Sequence, residues 1–173
     1  MGKADSSFIE AHQFCGRCGR TLAQVSVHPL VCNNCNLPVY NNPVTAVSAL
    51  VLNDRGELLL CKRKNDPHKG TWDVPGGFIE IQESAEDAMR RELHEELGVE
   101  IASLEYLNSY FELYANRNTL CLFFVVYLKP SKITAADDIS ATQWFSLSNI
   151  PKDMGFPSIY QAIAEFAQMP KTP

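Results

Sequence analysis

Long apolar runs broken by short polar punctuation dominate the chain from residue 44 onward. "TAVSALVLND" (45–54) and "ELLLCKRK" (57–64) are nearly continuous aliphatic runs separated by Asn53-Asp54-Arg55-Gly56, a turn signal, and they predict a β-hairpin. "IASLEYLNSYFELY" (101–114) and "NTLCLFFVVYLK" (118–129), joined through 115–118, predict two more strands, and "TQWFSLSNIP" (142–151) a further one. Two segments carry a helical period instead. Ala85, Met89, Leu93 and Leu97 form one apolar stripe, and "PSIYQAIAEFAQM" (157–169) forms another. The order is β, β, α, β, β, β, α, an α/β pattern.

The first helix is well bounded. Ser84 stands at the N-cap with Asp87 three residues on, an imperfect capping box, and Gly98 stands where glycine ends helices. Its register can therefore be read. At about 100° per residue Glu92, Glu95 and Glu96 fall within an arc of roughly 100° beside the apolar stripe. Seven carboxylates crowd residues 76–99. A solvated face normally mixes signs, and like charges three or four residues apart cost a few tenths of a kcal/mol per pair, roughly. Converging carboxylates are what a hard divalent cation such as Mg²⁺ or Mn²⁺ takes. "TWDVPGG", just ahead, supplies a turn in which backbone can approach a ligand without a Cβ in the way.

Spacing sharpens this reading. Gly77, five residues, Glu83, seven residues, then Arg91-Glu92-Leu93-His94-Glu95-Glu96-Leu97-Gly98-Val99 resembles the signature of the Nudix hydrolases at every specified position. The resemblance, over residues 41–169, implies an α/β/α sandwich around a mixed sheet. It implies that Glu92 and Glu96 ligate Mg²⁺ or Mn²⁺, that Glu95 joins them or holds a water, and that the Gly77 carbonyl completes the shell. Arg91 would orient the catalytic glutamate and pair with Glu83. The general base is expected to be Glu95, with Glu112, Asp137 and Asp138 as candidates outside the motif. Catalytic roles thus fall on Glu83, Arg91, Glu92 and Glu95.

Ahead of this domain, Cys15 and Cys18 in "FCGRCG" and Cys32 and Cys35 in "VCNNCN" form two CxxC pairs separated by thirteen residues. That is the spacing of a four-thiolate Zn²⁺ site, with disulfides or idle thiols as the alternatives. A four-cysteine site is closed, so its expected role is structural, replacing a core that some forty residues cannot build. The boundary is placed in "PVYNNPV", giving a ribbon over 1–40 and a Nudix domain over 41–173. Cys61 and Cys121 lie within strand-like runs and read as buried small hydrophobes; His12, His28 and His68 read as surface residues, and His94 sits on the metal helix.

Composition narrows the partners. A chain of 173 residues, 46% apolar, can bury one good core and a small appendage. A net charge of −5 speaks against binding nucleic acid or an anionic membrane through a broad basic surface. No bilayer-length apolar run or leader-like start appears; "MGKADSS" fits a loose myristoylation pattern through Gly2 and Ser6, but a cytoplasmic protein is expected. A ribbon before a Nudix domain is similar to the NADH pyrophosphatase group, yet that group's Ser-Gln-Pro-Trp-Pro-Phe-Pro motif is replaced by "LNSYFELYANRN". No proline occurs between Pro75 and Pro130, where one ADP-ribose pyrophosphatase group places one. The expected substrate is a small-molecule nucleotide, a nucleoside diphosphate linked to another moiety, ADP-ribose first and NADH or NAD next, with Tyr110, Phe111 and Tyr114 as a stacking face. A non-catalytic nucleotide sensor and an RNA-cap hydrolase are the alternatives. Analogy with ribbon-bearing relatives implies a homodimer.

Overall fold

The computed structural model describes residues 13–23 and 29–169. The Gly2 and Ser6 pattern, His12 and His28 lie outside the described residues. The chain divides into two compact units, Met1–Pro43 and Val44–Pro173.

In the first unit each CxxC pair sits in its own hairpin-like turn. A bridge between Phe14 and Thr21 closes the first, and β1 (Leu30–Val31) pairs with β2 (Pro38–Val39) to close the second. The enclosed core is small: Cys15, Leu22 and Cys32, flanked by Leu37 and Val39.

The second unit is a mixed sheet between two helices, as the apolar pattern implies. Its strands are β3 (Val44–Leu52), β4 (Glu57–Arg63), β5 (Trp72–Asp73), β6 (Gly76–Phe78), β7 (Ile101–Tyr114), β8 (Arg117–Leu128) and β9 (Ile139–Ser146), with helices α1 (Ala85–Leu97) and α2 (Pro157–Gln168). β3 runs parallel to β8 from Val44 opposite Thr119 to Leu52 opposite Tyr127, and β7 pairs with β8 antiparallel. Parallel central strands are covered on both faces, which is why β3 reads as a continuous apolar run. Alternation along it feeds both cores. Val47, Ala49 and Val51 pack with Ala88, Met89, Leu93 and Leu97 of α1, while Ala46, Leu50 and Leu52 pack with Ile159, Ala162 and Ile163 of α2. No helix of the described residues is long and apolar enough to cross a membrane.

The expected β3–β4 hairpin is present but short. Its turn forms, with the Gly56 amide bonded to the Asn53 carbonyl at 2.9 Å, but the ladder holds only Leu52 opposite Leu58. Beyond that pair β4 turns away to β9, and the edge of β3 it leaves is taken by β6, with Val47 opposite Gly77 and Ser48 opposite Gly76. A second difference follows: the "TWDVPGG" turn is two short strands, β5 on β4 and β6 on β3, bridging the gap where the two ladders diverge. This divergence sets the glycines against the sheet beneath α1.

Candidate active site and cysteine cluster

The signature helix begins at Ser84, whose hydroxyl accepts the Asp87 amide, and ends at Gly98, where φ is 68°. Between these caps the apolar stripe anchors α1 on the sheet and aims the adjoining acidic arc at β6. The three glutamates diverge in environment. Glu96 is buried, 4% exposed, and accepts the Gly76 amide at 2.9 Å. Glu92 is nearly buried, whereas the Glu95 side chain is half exposed.

Arg91 ties the arc together. Its Nε and Nη2 donate to both oxygens of Glu83 at 2.9 Å, its Nη1 donates to Glu92 at 2.7 Å and to Glu95 at 3.1 Å, and Nη2 also reaches the Phe78 carbonyl at 3.0 Å. A planar guanidinium serves this fork where an ammonium could not. The Arg91 hydrogen bonds hold Glu83 below the usual carboxylate range.

Two glycines explain the turn's composition. Gly76 adopts φ 150°, and a Cβ there would collide with the Val47 carbonyl; a Cβ at Gly77 would collide with the Glu92 carboxyl group. Glycine lets strand, turn and carboxylate share this space.

The arc opens into a cleft of about 310 Å³. Seven carboxylates line it, Asp73, Glu80, Glu92, Glu96, Glu112, Asp137 and Asp138, against two arginines, Arg63 and Arg91. Both arginines are engaged by protein carboxylates, Arg63 by Asp73 at 2.7 Å. Burial, then the charge of Asp138, pushes Glu96 up to about 10. Burial likewise raises Glu92, opposed by Arg91. Carboxyls under such pressure to hold protons are matched to a cation that supplies the missing charge, and their oxygens suit Mg²⁺ or Mn²⁺.

Among the residues singled out from sequence, Glu92, Glu96, Gly77 and Arg91 line the cleft; Glu95 and Glu83 are not among its lining residues and meet the site through Arg91. Asp137 and Asp138 line it too, on a loop bound to β4 by Lys64: its amide donates to the Asp138 carbonyl and its Nζ to the Asp137 carbonyl. Of the three aromatics expected at substrate, Tyr114 lines the cleft, stacked on Phe156 at 5.8 Å and edge-on to Phe78 at 5.4 Å. Tyr110 instead donates its hydroxyl to Glu165 of α2, and Phe111, on the other face of β7, is 67% exposed. Strand alternation separates Phe111 from its neighbours.

Sequence reading missed the wall formed by Arg63, Asp73, Phe78 and Phe156. Arg63 lies over the rings of Phe156 and Tyr114, 5.4 and 5.7 Å from their centroids, and donates to the Tyr114 hydroxyl at 3.3 Å. The one available signal was Arg63 at the end of a buried strand, where a charge needs a partner. Cys61 and Cys121 are buried as expected, and burial pushes the Cys121 thiol up to about 12.

In the first unit Cys15, Cys18, Cys32 and Cys35 bring their sulfurs within 4.8 Å of one another. The Cys15–Cys35 and Cys18–Cys32 separations are 3.5 and 3.7 Å, close to the ~3.8 Å edge that a tetrahedron of 2.3 Å zinc–sulfur bonds requires. Each knuckle closes with an amide onto a cysteine carbonyl, Gly19 onto Cys15 and Asn36 onto Cys32, both at 2.9 Å. Amides of Cys18 and Arg17 pull the Cys15 thiol below its ordinary value. The cluster fits a zinc ribbon.

Residues 42–166 match the family described as NUDIX domain. The chain belongs to the NUDIX family. Over 147 residues it is 34% identical to the NAD-capped RNA hydrolase NudC of Pseudomonas fluorescens, covering 84% of this chain and 52% of that protein. The chain thus spans about half the length of the curated relatives it matches. A NUDIX hydrolase of Nitrosomonas europaea superposes with a TM-score of 0.71 at 23% identity, over 91% of this chain and 94% of that one, a likeness of fold. A bifunctional NMN adenylyltransferase/ADP ribose pyrophosphatase of Francisella tularensis, complexed with AMP and Mn ion, is similar at a TM-score of 0.61 and 28% identity, over 75% of this NUDIX chain and 42% of its own.

Proposed function

We propose that the chain is a divalent-metal-dependent pyrophosphohydrolase. It would cleave the diphosphate linkage of a nucleoside diphosphate joined to another moiety, ADP-ribose first and NADH or NAD next. One observation carries this: seven carboxylates against two engaged arginines line the cleft, so a diphosphate enters only with cations that offset the charge. Glu92, Glu96 and the Gly77 carbonyl would hold Mg²⁺ or Mn²⁺. Bound there, the ion supplies charge to the phosphoryl oxygens and acidifies a water for in-line attack on phosphorus.

The chain's own residues do the rest. Arg91 fixes Glu92 in rotamer, and the Gly76 amide fixes Glu96, so the oxygens stay directed without metal. Glu95, with one oxygen on Arg91 and the side chain half exposed, is the proposed acceptor of the water's proton; Asp138, which lines the cleft, is the alternative. Tyr114 forms part of the wall against the nucleoside. The four cysteines would hold Zn²⁺ in a structural role.

The naming of the Pseudomonas fluorescens relative as an NAD-capped RNA hydrolase favours a second reading, the same bond cut at the end of an RNA. A panel assay separates the two: ADP-ribose, NADH, NAD⁺, nucleoside triphosphates and NAD-capped RNA with Mg²⁺ or Mn²⁺, products read by chromatography. Hydrolysis at the diphosphate that stops with EDTA and returns with Mg²⁺ is the expected result. Chelator-resistant turnover would overturn the metal-dependent mechanism, and capped RNA far ahead of every small nucleotide would select the second reading.

A further inference from the structure

Glu112 belongs to a part of the cleft that the metal chemistry leaves unexplained. It stands on β7 opposite Thr119 and under the start of α2, where the Ser158 hydroxyl donates to its Oε1. Its charged neighbours are Asp73 and Arg63, not the glutamates of α1. Among the described residues no hydrogen bond reaches its Oε2. Around it the wall is apolar and partly aromatic: Tyr114, Phe156, Ile159, Cys121 and Ala46.

Such a site selects its occupant by chemistry. A carboxyl set in an acidic cleft repels phosphate, so the phosphates do not lie against it. Once ionised, its free oxygen only accepts hydrogen bonds, so the moiety lodged there must offer donors. The surrounding rings and aliphatic side chains fit a flat body with a polar edge, which describes a nucleobase better than a ribose, polar on every side. Ser158 is itself buried, 2% exposed, at the second residue of α2, and its hydroxyl engages one carboxyl oxygen and leaves the other without a protein donor among the described residues.

We propose that Glu112, positioned by Ser158, accepts an N–H donor from the edge of the substrate's nucleobase and thereby sets base specificity. This rests on the pyrophosphohydrolase reading and adds to it the substrate group that the apolar wall receives. Carboxylate and amino group together make a charge-assisted bond, and a base lacking the donor leaves a desolvated carboxyl without a partner.

The test measures kcat and KM for ADP-ribose, its 6-desamino purine analogue and its 2′-deoxyadenosine analogue. Wild type, Glu112→Gln, Glu112→Leu and Ser158→Ala are compared, with thermal unfolding to verify folding. The wild type should favour ADP-ribose over the desamino analogue by about ten- to hundredfold in kcat/KM. That ratio should narrow in Glu112→Gln and Ser158→Ala and fall below about threefold in Glu112→Leu, the loss appearing in KM. An unchanged ratio in Glu112→Leu overturns the proposal. So does a fall in kcat at constant KM, which would make Glu112 a proton acceptor, or a gap that opens with the 2′-deoxy analogue instead, which would assign it to the ribose. If the wild type turns over none of the three, ADP-ribose fails as the substrate, and calorimetric binding of the same nucleotides to wild type and Glu112→Leu still decides whether Glu112 reads the base.

Discussion

The four cysteines and the three signature glutamates are both clusters of side chains able to ligate a metal, but the protein treats them in opposite ways. The cysteine sulfurs lie within 4.8 Å of one another, gathered by two backbone knuckles around a core of a few residues. The glutamates are parted: Glu92 and Glu95 sit on Arg91, and Glu96 sits on the Gly76 amide. Beneath them α1 buries Ala88, Met89, Leu93 and Leu97 in a core that needs no ion. Side chains that converge with little apolar burial suit a structural metal whose binding is coupled to folding; side chains each held by a protein partner over a complete core suit a proposed metal on which the fold does not depend.

The largest expected effect breaks the first half of this contrast. Cys15→Ser should release zinc and unfold the first unit, because binding free energy there is folding free energy. The second unit, with its own two cores, should melt within about 2 °C of wild type, on the scale of surface substitutions. Metal analysis with two-dimensional NMR checks both parts, and a full zinc complement in Cys15→Ser would remove the cysteines from a common site. Glu96→Gln inverts the outcome. It keeps the bond to the Gly76 amide and the packing but removes the charge, so folding should survive while kcat falls by about 10³-fold, several kcal/mol of lost charge stabilisation. Activity within about tenfold of wild type would remove Glu96 from the proposed metal site.

The contrast also explains what could be read in the residue order. The cysteine cluster and the acidic arc of α1 are legible because each depends on spacing within one short segment: CxxC turns in one case, a capped helix of known register in the other. The apolar runs gave the strands, and the two helical stripes gave the layers. What stayed hidden depends on pairing between distant segments. The β3–β4 hairpin stops after one pair, because the competing partners of each strand, β6 and β9, lie some 30 to 80 residues away. Arg63, Phe156 and the Asp73–Phe78 segment come together from three separate stretches, and no local pattern links them. The shared face of Tyr110 and Tyr114 was readable from alternation; that α2 claims Tyr110 through Glu165 was not.

A smaller effect sharpens the second half. If the protein's own partners direct the glutamates, then weakening Arg91 should cost activity without costing the fold. Arg91→Lys keeps the charge but loses the fork onto Glu83, Glu92 and Glu95, and kcat should drop about ten- to hundredfold, in the range of substitutions that loosen residues behind a metal ligand. Raising Mg²⁺ should recover little of it, because the loss lies in orientation rather than affinity. Full rescue by metal would show that Arg91 serves binding instead.

The smallest effect concerns the carboxyl that belongs to neither ligand set. Burial, followed by the charge of Asp73, raises Glu112 from 4.5 to about 7. Its folded pKa lies above its unfolded one, so between about pH 4.5 and 7 the unfolded chain has released a proton that the folded chain retains. Stability from this group is therefore greatest in acid, falls as pH rises through that window and is level above it. Glu112→Gln keeps the acceptor for Ser158 and abolishes the titration. At pH 8 the variant should be more stable than wild type by about 1–2 kcal/mol, the full shift being discounted because the group is only partly buried. At pH 4.5 the two should melt together. Urea midpoints across pH 4.5–8 measure the difference, and a gap that is constant with pH would place the Glu112 carboxyl in water rather than in the wall of the cleft.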